Sequence, residues 1–535
     1  MDIKMIAPCG MNCAICIGHL REKDKCPGCL YDGNTKPYHC TVCSIKTCPE
    51  QKNTYCFLCD KYPCARLTQL DVRYSSKYGM SMTDNLNMIR NFGMKKFADS
   101  QDKKWVCKKC GAVLSCHRNT CVSCGERTGI IYQGPGIEEL KEQAELYLDT
   151  LCLKIPNRCV GQKGNVMASE YFDHTLKSLG WNVKKQMFSC IAWKEEKAVL
   201  KAGKRVFIAR VSPYSLEFSG ARELICASNL KELENADARG KILMLRGELT
   251  AEQLMPKNFV FYNPDSHKKI YSLLELKKPA AIITATGKNA ELAGGAYPFP
   301  MIEDGDFNIP SVYMKDTDGK ILARHAGEKI ELSFKSKRLP AQGWNSSAIK
   351  GKSSKKIVVC AHIDAKEFTP GALDNGTGVV VLMLLAELMK YYRESTALEI
   401  VALNGEDYFA ASGQMEYLKR NKARMKDIAL AVNMDGAGYK GEKICFSFYG
   451  VKKEKQKTIM KVLKKHKNII QGEQWYQGDH MVFAINKVPA MAITSANFDE
   501  LCQNITHTKK DVPSLVDPAL LAELAAALKD VINIL

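Results

Sequence analysis

Four apolar segments in the carboxyl-terminal half of the chain each end in residues that can bind metal or move a proton. The run 357–363 (IVVCAHI) carries His362, and Asp364 follows two positions later, so both side chains fall on one face of a strand. The loop after it holds Pro370, Gly371, Asp374, Asn375 and Gly376, and an apolar helix is expected to begin near Val379. LEIVALN (398–404) ends in Gly405-Glu406-Asp407, IALAVNMD (428–435) ends in Asp435, and PAMAITS (489–495) is followed by His507 in ITHTKKD. Adjacent acids such as Glu406 and Asp407 repel unless a cation sits beside them. Two imidazoles and three or four carboxylates gathered at strand ends suit a pair of divalent ions with nitrogen and oxygen ligands, zinc first among them. The carboxyl ends of strands are also where open α/β sheets place their ligands.

His362, Asp374, the Glu406-Asp407 pair, Asp435 and His507 resemble, in order and spacing, the co-catalytic two-zinc exopeptidases. That family contains the secreted bacterial leucyl-type aminopeptidases and glutamate carboxypeptidase. GDHMVF (478–483) is similar to its Ser-Asp-His segment, with Gly478 in place of Ser. The resemblance implies that His362 and Asp435 hold one zinc, that Asp407 and His507 hold the other, and that Asp374 bridges them. It implies Glu406 as the general base and Asp364 as the group that orients the His362 ring. It further implies a cis peptide between Asp374 and Asn375. Two positions depart from the family: Asp407 stands where Glu is usual, one methylene shorter, and Thr506 stands before the last His where several relatives have Tyr.

Positioning these residues requires a sheet with helical covers. An α/β domain is expected over 137–199 and 339–535, with a mostly parallel sheet flanked by helices. GIEELKEQAELYLDTLC and MASEYFDHTLKSLGWNV (167–183) read as two of the helices. WNSSAIKG (344–351) reads as the strand returning to the catalytic sheet. Between them, 200–338 carries short apolar strands within 238–247, 277–287 and 308–314, separated by Gly and Pro. This stretch resembles the β-rich protease-associated domain inserted in many members of the family, and it is expected to act as a lid or a packing partner.

The 535 residues suffice for three domains. Of the 23 cysteines, 16 lie between Cys9 and Cys124. Cys9, Cys13, Cys16, Cys26 and Cys29 precede two copies of one pattern, Cys40-x2-Cys43-x4-Cys48 and Cys56-x2-Cys59-x4-Cys64, offset by 16. After a helical stretch (66–98), Cys107-x2-Cys110 and Cys121-x2-Cys124 have the spacing of a zinc ribbon; Cys116 and His117 are spare. Cys9-x3-Cys13-x2-Cys16 has radical-SAM spacing, but no βα-barrel pattern follows. The region 1–127 resembles an uncharacterised cysteine-rich bacterial domain and is expected to bind several structural zinc ions. A Gly/Pro-containing linker at 128–136 follows it. No apolar leader opens the sequence and no run reaches membrane-span length, so the expected location is the cytoplasm, where such cysteines bind metal. The formal charge of +19 raises nucleic acid as a partner. Sixteen thiolates with four Zn²⁺ would remove about eight of those charges, and the other Lys and Arg are scattered.

The sequence therefore predicts a cytoplasmic two-zinc exopeptidase acting on small peptides, an aminopeptidase before a carboxypeptidase or other amide hydrolase. A protein partner is expected for the amino-terminal module. The reading of a different class is an inactive scaffold that uses its zinc ribbon for protein or nucleic-acid binding.

Overall fold

The computed structural model describes residues 2–51, 55–127, 135–155, 157–259, 263–287, 298–392, 394–476 and 478–535. Most of the expected linker, 128–134, lies outside them. The chain divides into two compact units: Met1–Gly136 with His174–Trp181, and Ile137–Asp173 with Asn182–Leu535.

The first unit has two substantial helices, Ala65–Tyr78 and Met82–Lys104, among one-turn helices and loops. Ser81 caps the second helix by accepting from the Asp84 N–H. Its core gathers Leu67, Met82, Leu86 and Trp105 around cysteine side chains, with Cys9, Cys107, Cys116 and Cys121 themselves buried.

In the second unit an eight-stranded sheet runs in the order Val183–Glu195, Ser336–Lys350, Ala397–Leu403, Lys356–His362, Ile428–Met434, Ala490–Ser495, Ile444–Tyr449, Ile469–Gln471. The three strands that end in candidate ligands, and Ala490–Ser495, which precedes His507 in the chain, are mutually parallel and central. Four of the seven strand pairings in the sheet are parallel, in line with the expected mostly parallel sheet, and three are antiparallel. Val183–Glu195 pairs antiparallel with Ser336–Lys350, which is antiparallel to Ala397–Leu403, and Ile444–Tyr449 is antiparallel to Ala490–Ser495. All residues of Lys356–His362 are buried. Val358 and Cys360 pack on one face against Tyr417, Val482 and Phe483. Helices Ile137–Asp149, Thr377–Leu388 and Pro518–Asn533 pack on one another. Burial on both faces explains the unbroken apolar runs, and each such side chain contributes about 1.5–3 kcal/mol.

The helix expected at 167–183 runs instead over Lys163–Ser178 and stops before Gly180 (φ +75°), so the last residues of that stretch belong to a loop and the start of an edge strand. Residues between Val183–Glu195 and Ser336–Lys350 form a second eight-stranded sheet. Its centre is four parallel strands, Phe218–Ala227, Ile242–Leu245, Ala281–Thr286 and Ser311–Lys315. Helices Leu230–Asn235, Asp265–Lys277 and Asp316–Leu322 accompany it, so the insert is α/β rather than purely β-rich.

Candidate metal centre

His362 is the last residue of its strand, Asp435 the first after Ile428–Met434, and Gly405-Glu406-Asp407 turns away just past Leu403. Three parallel strand ends thus open on one crevice, and His507 reaches it from beyond the helical segments Phe498–Glu500 and Leu501–Ile505 that follow the fourth strand. His362 Nε2 lies 3.3 Å from Asp374 Oδ1 and 3.6 Å from Asp435 Oδ2. His507 Nε2 lies 3.0 Å from Asp374 Oδ2 and 3.0 Å from Asp407 Oδ1. The two oxygens of Asp374 therefore face different histidines. Two ligand groups share it: His362, Asp374 and Asp435 on one side, Asp374, Asp407 and His507 on the other.

Asp364 behaves differently from expectation. Its Oδ1 is 3.7 Å from His362 Nδ1, beyond hydrogen-bond range, and the carboxylate accepts from backbone N–H groups instead. Gly405 donates at 2.6 Å, Glu406 at 3.3 Å and Asp407 at 3.0 Å. Asp364 thereby fixes the turn, entered through Gly405 at φ +87°, that presents Glu406 and Asp407.

The Asp374 loop is held from several directions. Asp511 accepts from the Leu373 and Asp374 N–H groups at 2.6 and 3.0 Å. Asn375 donates to the Met434 carbonyl and accepts from the Gly378 N–H, capping the helix that starts at Thr377. The Asp374–Asn375 peptide is cis. Buried Arg158 donates to the carbonyls of Leu151, Ile363, Pro370 and Gly371 at 2.7–3.0 Å. Sequence reasoning missed Arg158 and Asp511 because their partners are backbone groups far along the chain.

The cluster is strongly charged. Burial works against the imidazolium of His362, yet the carboxylates of Asp435, Asp364 and Asp374 push it well above its usual range; His507 behaves alike through Asp407 and Asp374. Burial would raise Asp374, but the two histidines hold it far below normal. Glu406 and Asp435 are pushed up, chiefly by burial. Among the described residues, His362 Nδ1 and Nε2 and Asp407 Oδ2 are buried without a hydrogen-bond partner. Mixed imidazole and carboxylate donors, some of them orphaned, fit two divalent ions with zinc's N/O preference.

Two cavities meet at this centre. One, of about 250 Å³, reaches Asp374, Glu406, Asp407, Asp435 and His507 and is walled by Trp475, Met481, Phe498 and Leu501, with Leu254 and Met255 from the insert. The other, of about 700 Å³, borders His507 and is lined by charged groups including Glu195, Arg210 and Glu367. Thr506 lines the first, its hydroxyl donating to the Leu501 carbonyl.

In the first unit Cys107, Cys110, Cys121 and Cys124 converge. Their sulfurs are 3.7 Å (Cys107–Cys124) and 3.6 Å (Cys110–Cys121) apart. A tetrahedron of 2.3 Å Zn–S bonds has edges of about 3.8 Å, so this set fits zinc. Among the described residues, Cys9, Cys13, Cys16, Cys26, Cys29, Cys40, Cys43, Cys48, Cys56, Cys59 and Cys64 form no group of three within 4.8 Å. Burial, followed by the thiols of Cys64, Cys48 and Cys59, pushes Cys56 up to about 12; burial, followed by Cys26 and Cys16, pushes Cys40 to about 11.

Residues 347–532 match the sequence model of Peptidase family M28. "Aminopeptidase YwaD" of Bacillus subtilis is 24% identical over 219 residues, 38% of this chain and 41% of that protein. "Probable lipoprotein aminopeptidase LpqL" of Mycobacterium tuberculosis is 24% identical over 292 residues, 52% of this chain and 54% of its own length. The chain thus spans about half the length of the curated relatives it matches. The crystal structure of BSAP, a zinc aminopeptidase from Bacillus subtilis, superposes with a TM-score of 0.60 at 20% identity, covering 73% of this chain and 94% of that one. By sequence over 347–532 and by fold over nearly three quarters of its length, the chain is similar to the zinc aminopeptidases of Peptidase family M28.

Proposed function

We propose that the protein is a two-zinc exopeptidase, an aminopeptidase of small peptides. The observation that carries this reading is Asp374, which offers one oxygen to the neighbourhood of each histidine. His362 and Asp435 would hold one ion, Asp407 and His507 the other, and Asp374 both. Two divalent ions there would polarise the scissile carbonyl and bring the pKa of a water towards neutrality. Glu406, presented by the Asp364-bound turn, takes the proton of the attacking water and returns it to the leaving amine. The apolar 250 Å³ cavity takes one side chain, and the larger charged cavity takes the rest of the peptide.

The ribbon cysteines would hold a structural zinc, and the remaining amino-terminal cysteines further ions. We place the protein in the cytoplasm on that thiol density; among the described residues no helix is long and apolar enough to cross a membrane. The first unit is proposed to engage a protein partner.

The test is a screen of the purified zinc-loaded protein against dipeptides with free and N-acetylated amino termini. Hydrolysis restricted to free amino termini, lost with a chelator and restored by zinc, is expected. Cleavage of the N-acetylated set would make it a carboxypeptidase, and hydrolysis of neither would make the carboxyl-terminal unit a scaffold.

A further inference from the structure

An aminopeptidase must hold a free ammonium group beside the scissile bond, and a cation leaving water needs a carboxylate to receive it. The described residues lining the 250 Å³ cavity include five acids: Glu303, Asp374, Glu406, Asp407 and Asp435. Four belong to the ligand set and the general base. The fifth, Glu303, comes from the insert and also lines the larger cavity, which places it where the two meet.

Glu303 is 2% exposed. Its Oε1 accepts from Lys366 Nζ at 2.7 Å, and the same ammonium donates to the backbone carbonyl of Asp407. The carboxylate is thereby tied to the turn that carries Asp407 and Glu406. Among the described residues its Oε2 receives one long contact, 3.4 Å, from the Gln253 amide, which leaves acceptor capacity on a residue that lines both cavities. Lys366, the one Lys or Arg among the described residues of this cavity, is engaged by Glu303 and the Asp407 carbonyl. A substrate carboxylate therefore finds no open ammonium or guanidinium there, whereas a substrate ammonium finds a carboxylate oxygen with spare acceptor capacity. Two further contacts fix the insert at this distance. Gly305 has no room for a side chain, since a Cβ would lie 2.4 Å from the Phe409 ring. Tyr214 of the insert packs on that ring at 4.8 Å between centroids.

We infer that Glu303 of the insert, held by Lys366, is the anchor for the α-ammonium group of the substrate. The insert then completes the substrate site and is not only a cover. This rests on the aminopeptidase reading, and the test separates the two.

Wild type and Glu303→Gln are compared by calorimetric binding of leucinamide and of N-acetyl-leucinamide, and by hydrolysis of leucyl p-nitroanilide. Losing one charge-assisted contact should weaken leucinamide binding about 10- to 100-fold. N-acetyl-leucinamide binding should stay unchanged, and KM should rise by a similar factor with kcat nearly constant. Glu303→Asp, which keeps the charge, should recover part of the discrimination if the glutamine variant folds poorly. Equal losses for both probes, or no loss for leucinamide, would each overturn the anchor. Absence of hydrolysis by wild type would instead remove the aminopeptidase reading, while the binding comparison still decides what Glu303 recognises.

Discussion

Glu406 and Asp364 are both acids at strand ends, yet their surroundings assign them different work. Glu406 faces the cavity and makes none of the close imidazole contacts of its neighbour Asp407. Glu406→Gln should lower kcat by about 10² to 10⁴ while zinc stoichiometry by mass spectrometry stays at the wild-type value; unchanged turnover would remove it as the base. Asp364 is buried and satisfied by three backbone N–H groups. Asp364→Ala strands those donors, and each unsatisfied buried group costs about 1–3 kcal/mol. We expect a fall of several degrees in Tm, together with weaker zinc binding because Asp407 is displaced. A zinc titration with an unchanged midpoint would leave Asp364 a stability role alone.

At the scale of elements, the loop from Ile363 to Gly376 is shaped by a residue in another segment. Arg158 gathers four carbonyls around a planar guanidinium, a geometry that an ammonium cannot reproduce. Arg158→Lys should therefore destabilise the fold by about 2–4 kcal/mol through unpaired buried carbonyls and reduce zinc occupancy. Urea melts and metal analysis would check both, and a near-native melt would show that the loop holds itself. The same residue marks the limit of what could be read in advance. The ligand strands were legible because burial on both faces leaves a plain apolar run, and their terminal His and Asp stand out against it. Arg158, Asp511 and Glu303 were not, because each acts on groups brought near only by folding. Asp511 reads locally as one more charge in THTKKD, and nothing there announces that Leu373 and Asp374 will donate to it. The direction of the edge strands was also hidden, since a buried run looks alike in parallel and antiparallel pairing.

At the scale of the whole molecule, stability should depend on pH through a group remote from the metal centre. Glu387 lies buried in the helix Thr377–Leu388, and burial, followed by repulsion from Glu139, pushes it up to about 7 from 4.5. The folded state then binds a proton that the unfolded chain has released, so this stabilisation is full below pH 4.5 and is lost as pH rises through 7. Above that, the ionised group costs up to about 3 kcal/mol. Glu387→Gln should match wild type near pH 4.5 and exceed it by roughly that amount at pH 8 in denaturant melts. A difference independent of pH would show that the carboxyl is not buried when charged.

The pairing of the edge strand with its neighbour carries a consequence for how the chain is made. Val183–Glu195 and Ser336–Lys350 are in register to the very end, with Glu195 opposite Ser336. Residues 196–335 therefore leave and return at neighbouring points, like the tip of a hairpin enlarged into a domain. On a ribosome, Val183–Glu195 emerges long before its mate, and pairing across an unstructured stretch of that length would mean closing a long, entropically costly loop. If the insert collapses first, its own sheet brings the two ends together and the closure becomes local. The segment that supplies Glu303 would then also time the completion of the catalytic sheet, and pulse-labelled hydrogen exchange should find Ile242–Leu245 and Ala281–Thr286 protected before Val183–Glu195.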